Sequence, residues 1–156
     1  MTAWSVDLPT PGVALAIGAH PDDVEFQAGA TLAKWAADGC TVHHLILTDG
    51  SKGTWNPDED IPALVQSRVA EQRAAAKALG ATGEVVMLDN VDGELSSGLA
   101  QRDQVSYWIR RLKPDVVLGH DPWKRYRLHP DHRHAGRSRT SGRRIEGYRG
   151  VRPRWR

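Results

Sequence analysis

The sequence predicts an α/β fold: a Rossmann-like three-layer sandwich built on a mainly parallel sheet. Two observations carry this. Short apolar runs that end in turn residues alternate with longer stretches of helical period, and the order reads strand, helix, strand, helix, strand, helix, strand. At 156 residues the chain is also of a size for one domain with a single core. Such alternation favours parallel strands joined by right-handed crossovers, with helices on both faces.

Each element has its own signal. Residues 13–18, Val-Ala-Leu-Ala-Ile-Gly, form an apolar run of the kind a doubly covered strand needs. Residues 29–38 place Leu32, Trp35 and Ala36 at helical spacing, and Gly39 is the stop. Residues 41–47 are β-branched and apolar and end at Thr48-Asp49-Gly50, a turn. Residues 51–62, rich in Gly, Pro and Asp, read as an active-site loop. A helix over about 62–79 starts at Pro62, keeps a 3.6-residue period through Leu64, Arg68, Glu71 and Ala75, and ends at Gly80. Strand 84–88, helix 101–112 and strand 116–119 complete the order. If the strands lie in the usual order 3-2-1-4, His20 after the first and the segment from His120 to His132 after the fourth meet at the switch point, where such sheets collect ligands.

Composition narrows the classes. No segment approaches the ~20 apolar residues a membrane span requires, and the first residues have no leader-like pattern, so a soluble, cytoplasmic protein is expected. Cys40 is the only cysteine, which excludes a disulfide within the chain and a thiolate zinc cluster. The formal charge of +2 is unevenly spread. Residues 1–136 carry 13 Lys/Arg against 18 Asp/Glu, while residues 137–156 carry eight Arg against the single Glu146. The tail has no helical or alternating period, and it reads as a disordered or out-of-frame segment after a domain spanning 1–136.

Two clusters carry chemistry. In His20-Pro21-Asp22-Asp23, Pro21 fixes one backbone angle and neighbouring side chains diverge, so one carboxylate can face a metal while the other faces its water. The alternative is that these aspartates cap the following helix. In His129-Pro130-Asp131-His132, the two histidines three apart suit one metal ligand and one group on a substrate oxygen. The alternative there is a solvated histidine-rich loop. Catalytic zinc takes three protein ligands and keeps a position for water.

Ala19-His20-Pro21-Asp22-Asp23 and His129-Pro130-Asp131-His132 together resemble the two signature stretches of the LmbE-like, or PIG-L, family of N-deacetylases. Residues 48–53, Thr-Asp-Gly-Ser-Lys-Gly, resemble that family's loop after the second strand, and Arg68 with Glu71 its Arg-x-x-Glu helix. The resemblance covers about residues 12–136. It implies an LmbE-like fold and zinc-dependent removal of an N-acetyl group from a small N-acetylglucosaminyl-type conjugate, with one Zn2+ per chain or another divalent metal in its place. By the same resemblance His20, Asp23 and His132 are the metal ligands, Asp22 is the general base, and His129 stabilises the oxyanion with Asp131 charging it. Arg68 is a substrate contact, or else a surface ion pair with Glu71. Family members continue past the second motif, so the domain is expected to be incomplete at its C-terminus.

Two other readings compete. One is a truncated remnant that binds metal without turnover. The other is nucleic-acid binding by the arginine tail, which the acidic body disfavours, so no nucleic-acid partner is expected. Trp55 and Trp123 are loop residues that stack on a sugar or, more commonly, anchor packing. Tyr126 is a weaker oxyanion candidate, and His43 and His44 are structural. His120, close to the site at a strand end, is left open between the two.

Overall fold

A computed structural model describes residues 8–121. Seven elements follow in the expected order: β1 (Val13–Gly18), α1 (Asp23–Ala37), β2 (Thr41–Thr48), α2 (Ile61–Ala78), β3 (Val85–Asn90), α3 (Leu99–Leu112) and β4 (Val116–Gly119). The sheet order is β3-β2-β1-β4, and every pairing is parallel. The 3-2-1-4 arrangement therefore holds, and the ends of β1 and β4 flank the switch point.

Strand alternation divides the core in two. Leu15, Ile17, Leu45, Leu47 and Val86 point to one face, where Val105, Trp108, Ile109 and Leu112 of α3 cover them. Ala14, Ala16, Val42 and Ile46 point to the other, against Val24, Leu32 and Trp35 of α1. α2 lies beside α1 on that second face: Leu79 approaches Gly29, and Gln72 reaches His44 of β2. The two faces of β1 and β2 are both buried, which is why these strands read as unbroken apolar runs. Among the described residues no helix is long and apolar enough to cross a membrane.

One boundary differs by a full turn and a half. α1 begins at Asp23, six residues before the expected start, because 23–28 contain no breaker and Asp22 turns the chain in a left-handed conformation. The helix at 61–78 begins as the sequence suggests, with Asp60 accepting from Ala63 N at 3.2 Å and Pro62 in the first turn.

Gly83 marks a close approach. Its amide donates to Val42 O at 3.0 Å, and a Cβ there would stand 2.5 Å from that oxygen and 2.6 Å from His43 Nδ1. Gly83→Ala is therefore expected to lower the unfolding free energy by ~1–3 kcal/mol. A shifted urea midpoint at unchanged slope is the measurement.

Candidate active site

The turn after β1 is held from several sides. Thr48 donates to Ala19 O through both its backbone N (2.9 Å) and its hydroxyl (2.8 Å), which ties the turn to the end of β2. Asp22 then takes φ 91°, a left-handed conformation that a non-glycine residue adopts at a cost of ~1 kcal/mol or more. α2 supports it: Asp22 N donates to Gln72 Oε1 at 2.9 Å, and Arg68 Nη2 donates to Pro21 O at 3.0 Å and to Asp22 Oδ2 at 2.9 Å. The reversal separates the two carboxylates. That of Asp22 is half exposed, while that of Asp23 is 11% exposed.

Neither aspartate works as a helix cap. Asp22 occupies the N-cap position without a side-chain cap bond. Asp23 Oδ2 instead closes its own turn, accepting from Ala19 N and His20 N, each at 2.9 Å.

His20 stands between two acids. Its Nδ1 lies 3.4 Å from Asp23 Oδ2 and its Nε2 3.2 Å from Asp92 Oδ1. Two ligands on a tetrahedral zinc with ~2.05 Å bonds stand ~3.3 Å apart, so the imidazole and carboxylate are spaced as a ligand pair. A ligating histidine usually has a carboxylate on its far nitrogen as an outer partner, and Asp92 stands there at ion-pair distance, outside hydrogen-bond geometry. Nitrogen and oxygen donors of this kind fit zinc. The third ligand of the expected set, His132, lies outside the described residues, as do His129, Asp131, Trp123, Tyr126 and the tail 137–156. Among the described residues no group of three or more His, Cys, Asp or Glu is arranged to hold a metal ion.

Asp92 was not singled out in the sequence. Its backbone N donates to Asp49 Oδ1 at 3.0 Å, and the same oxygen accepts from Ser51 N at 2.9 Å. Burial works against the Asp49 carboxylate, but these two amides outweigh it and hold its pKa below the ordinary value. Both acids lie just past strands, Asp49 directly after β2 and Asp92 two residues after β3. Position at a carboxyl strand end was the signal available for them.

Arg68 makes the ion pair that one of its two readings foresaw. It makes the i,i+3 pair with Glu71 at 2.7 Å, and it also reaches Asp22. Burial opposes its charge, yet the hydrogen bonds to Asp22 and Glu71 prevail and raise its pKa. Trp55 corrects the expectation of a packing anchor, since the side chain is fully exposed among the described residues. A loop of Gly, Pro and Asp supplies no apolar surface for it to rest on.

His43 and His44 face opposite sides of the sheet and are structural, as expected. His43 Nδ1 accepts from Glu84 N at 2.8 Å. His44 is fully buried, with Gln72 Nε2 at 3.2 Å from its Nδ1 and Glu25 Oε1 at 3.6 Å. Burial, helped by His43, lowers the His44 pKa to about 4, whereas burial raises that of Glu25. Between pH ~6.5 and ~4 the unfolded chain takes a proton at His44 that the folded chain refuses. The His44 contribution to stability is present above that window and is lost as pH falls through it, by about 3 kcal/mol in total. Glu25 has the opposite sign, so the comparison isolates His44: urea unfolding of His44→Gln is expected to show a flatter loss of stability than wild type from pH 7 to 4.5. Equal slopes would remove the assignment.

The comparisons with known proteins identify the family. The family model for PIG-L, described as GlcNAc-PI de-N-acetylase, matches residues 15–141. Diacetylchitobiose deacetylase of Thermococcus kodakarensis is 39% identical over 122 residues, covering 78% of this chain and 45% of its own. The 1D-myo-inositol 2-acetamido-2-deoxy-alpha-D-glucopyranoside deacetylase of Actinosynnema mirum is 33% identical, covering 80% of this chain and 52% of its own. The solved structure of N,N'-diacetylchitobiose deacetylase from Pyrococcus horikoshii, in complex with an inhibitor, superposes with a TM-score of 0.79 at 32% identity, covering 83% of this chain and 48% of that one. The chain thus spans about half the length of the relatives it matches. On the family match, the α/β fold and the paired acids of the β1 turn, the chain belongs to the PIG-L, LmbE-like, family.

Proposed function

We propose that the protein is a zinc-dependent hydrolase that removes the N-acetyl group from a small N-acetylglucosaminyl-type conjugate. One observation carries the reading: the left-handed Asp22 sends one carboxylate outward beneath Arg68 while Asp23 stays buried against His20. On this reading the buried carboxylate is a metal ligand and its outward neighbour the proton acceptor, side by side at the switch point. The names of the relatives, a diacetylchitobiose deacetylase and an acetamido-sugar inositol deacetylase, support the substrate class.

His20 and Asp23 would hold the ion, together with His132 from the second motif. When bound, zinc supplies a water acidified to pKa ~7 and a Lewis acid for the amide carbonyl. Asp22 accepts the proton of the attacking water while Arg68 holds its carboxylate in place. As the C–N bond breaks and acetate leaves, Asp22 passes that proton to the amine nitrogen. His129, charged beside Asp131, is the residue the family pattern offers to the oxyanion. A sugar hydroxyl that reaches Arg68 would join its existing pairs with Asp22 and Glu71.

The test is acetate release from N,N'-diacetylchitobiose and from the acetamido-sugar inositol. Release that stops with a chelator and returns with zinc is expected for at least one. Zinc-loaded protein that releases acetate from neither is the result expected of a metal-binding chain without turnover, and it would end this reading.

A further inference from the structure

His120 belongs to the turn at the end of β1, although it sits at the end of β4 and 97 positions from Asp23. The side chain is 2% exposed. Its Nε2 lies 3.2 Å from Asp23 Oδ2 and 3.1 Å from Ala19 N, and its Nδ1 lies 2.9 Å from Gln27 Nε2. The amide of Gln27 fixes the direction of these bonds. Its Nε2 stands between His120 Nδ1 and Asp23 Oδ1, the latter at 3.4 Å, and a carboxylate oxygen calls for a donor there. Gln27 therefore donates to Nδ1, and the imidazole proton sits on Nε2, directed at Asp23 Oδ2. The reverse tautomer would set a nitrogen lone pair against a carboxylate oxygen. Ala19 N–H points at both Asp23 Oδ2, at 2.9 Å, and His120 Nε2, at 3.1 Å, and the nearer, anionic oxygen is the stronger acceptor and takes it.

We propose that His120, oriented by Gln27, is a positioning residue that holds the carboxylate of Asp23 in its metal-binding orientation. The inference rests on the zinc reading above. Asp23 Oδ2 accepts from Ala19 N and His20 N on its own turn, both from one side of the chain. His120 adds a donor from a strand on the other side of the switch point, so the carboxylate is braced between β1 and β4. Outer partners of this kind are worth 10- to 100-fold in metal affinity.

Zinc affinity of the full chain, measured by competition with a chromogenic chelator, tests this without any assay of turnover. His120→Leu is expected to weaken zinc binding 10- to 100-fold. His120→Gln, whose amide nitrogen reaches the position of Nε2 and donates to Asp23, is expected to stay within about threefold of wild type. A role in packing alone would instead shift the urea midpoints of the metal-free variants and leave their zinc affinities equal. If His120→Leu does not fold, Gln27→Leu carries the test from one bond further out, with a loss of about three- to tenfold expected. Wild-type affinity in folded His120→Leu, or in Gln27→Leu where the former is unfolded, overturns the proposal and leaves the zinc reading standing. Wild-type protein that binds no zinc overturns both.

Discussion

Asp22→Asn is expected to lower acetate release by ~10²- to ~10⁴-fold, the usual worth of a positioned general base, while bound zinc stays at its wild-type level. The substitution keeps the shape of the side chain and an oxygen for Arg68, but the amide cannot take a proton from water. Stability should barely move. The Arg68–Asp22 pair is 26% and 50% exposed on its two sides, and such pairs are worth under ~1 kcal/mol. Gln72 would still accept from the backbone of residue 22, so the left-handed turn has its support. Acetate release measured on zinc-saturated protein is the readout. Activity above a tenth of wild type would remove Asp22 from the role of base.

Asp23 combines two tasks that a pair of substitutions can separate. Asp23→Ala removes a proposed metal ligand and also the acceptor of Ala19 N, His20 N and His120 Nε2. Buried donors left without partners cost ~1–3 kcal/mol each, and some of these will find new acceptors, so a loss of about 2–4 kcal/mol in unfolding free energy is expected along with the loss of zinc. Asp23→Asn retains an oxygen for the turn amides but not the anionic ligand. It should stay within about 1 kcal/mol of wild type and still bind zinc at least 100-fold more weakly. Metal content after gel filtration and urea unfolding of the chelated proteins give the two readings. If Asp23→Asn binds zinc as wild type does, Asp23 is a structural residue and not a ligand.

The sequence was most informative where a short motif met strong periodicity. The apolar runs of β1 and β2 are buried on both faces, so their positions could be read directly. Gly39 and Gly80, both at positive φ, ended their helices where expected. The start of α1 is not legible in the sequence because Asp-Val-Glu-Phe-Gln carries no apolar stripe of its own, and Phe26 remains 86% exposed. The residues around the motif were legible only in part. Gln72 looked like one more polar residue of an ordinary helix, yet it is buried and bonds Asp22, Glu25 and His44.

By itself, then, the sequence determined the order of elements, the parallel sheet, and the His-Pro-Asp-Asp turn with its two acids. These follow from local signals: periodicity, turn residues and residue type. Tertiary structure alone decided which partner each residue of that turn received. Asp92 comes from the end of β3 to His20, Gln72 and Arg68 from α2 to Asp22, and His120 from the end of β4 to Asp23. The physical reason is that these contacts depend on strand order and parallel register, which bring chain segments up to 97 positions apart to one edge of the sheet, and no local pattern in any one segment encodes the residue it will meet there.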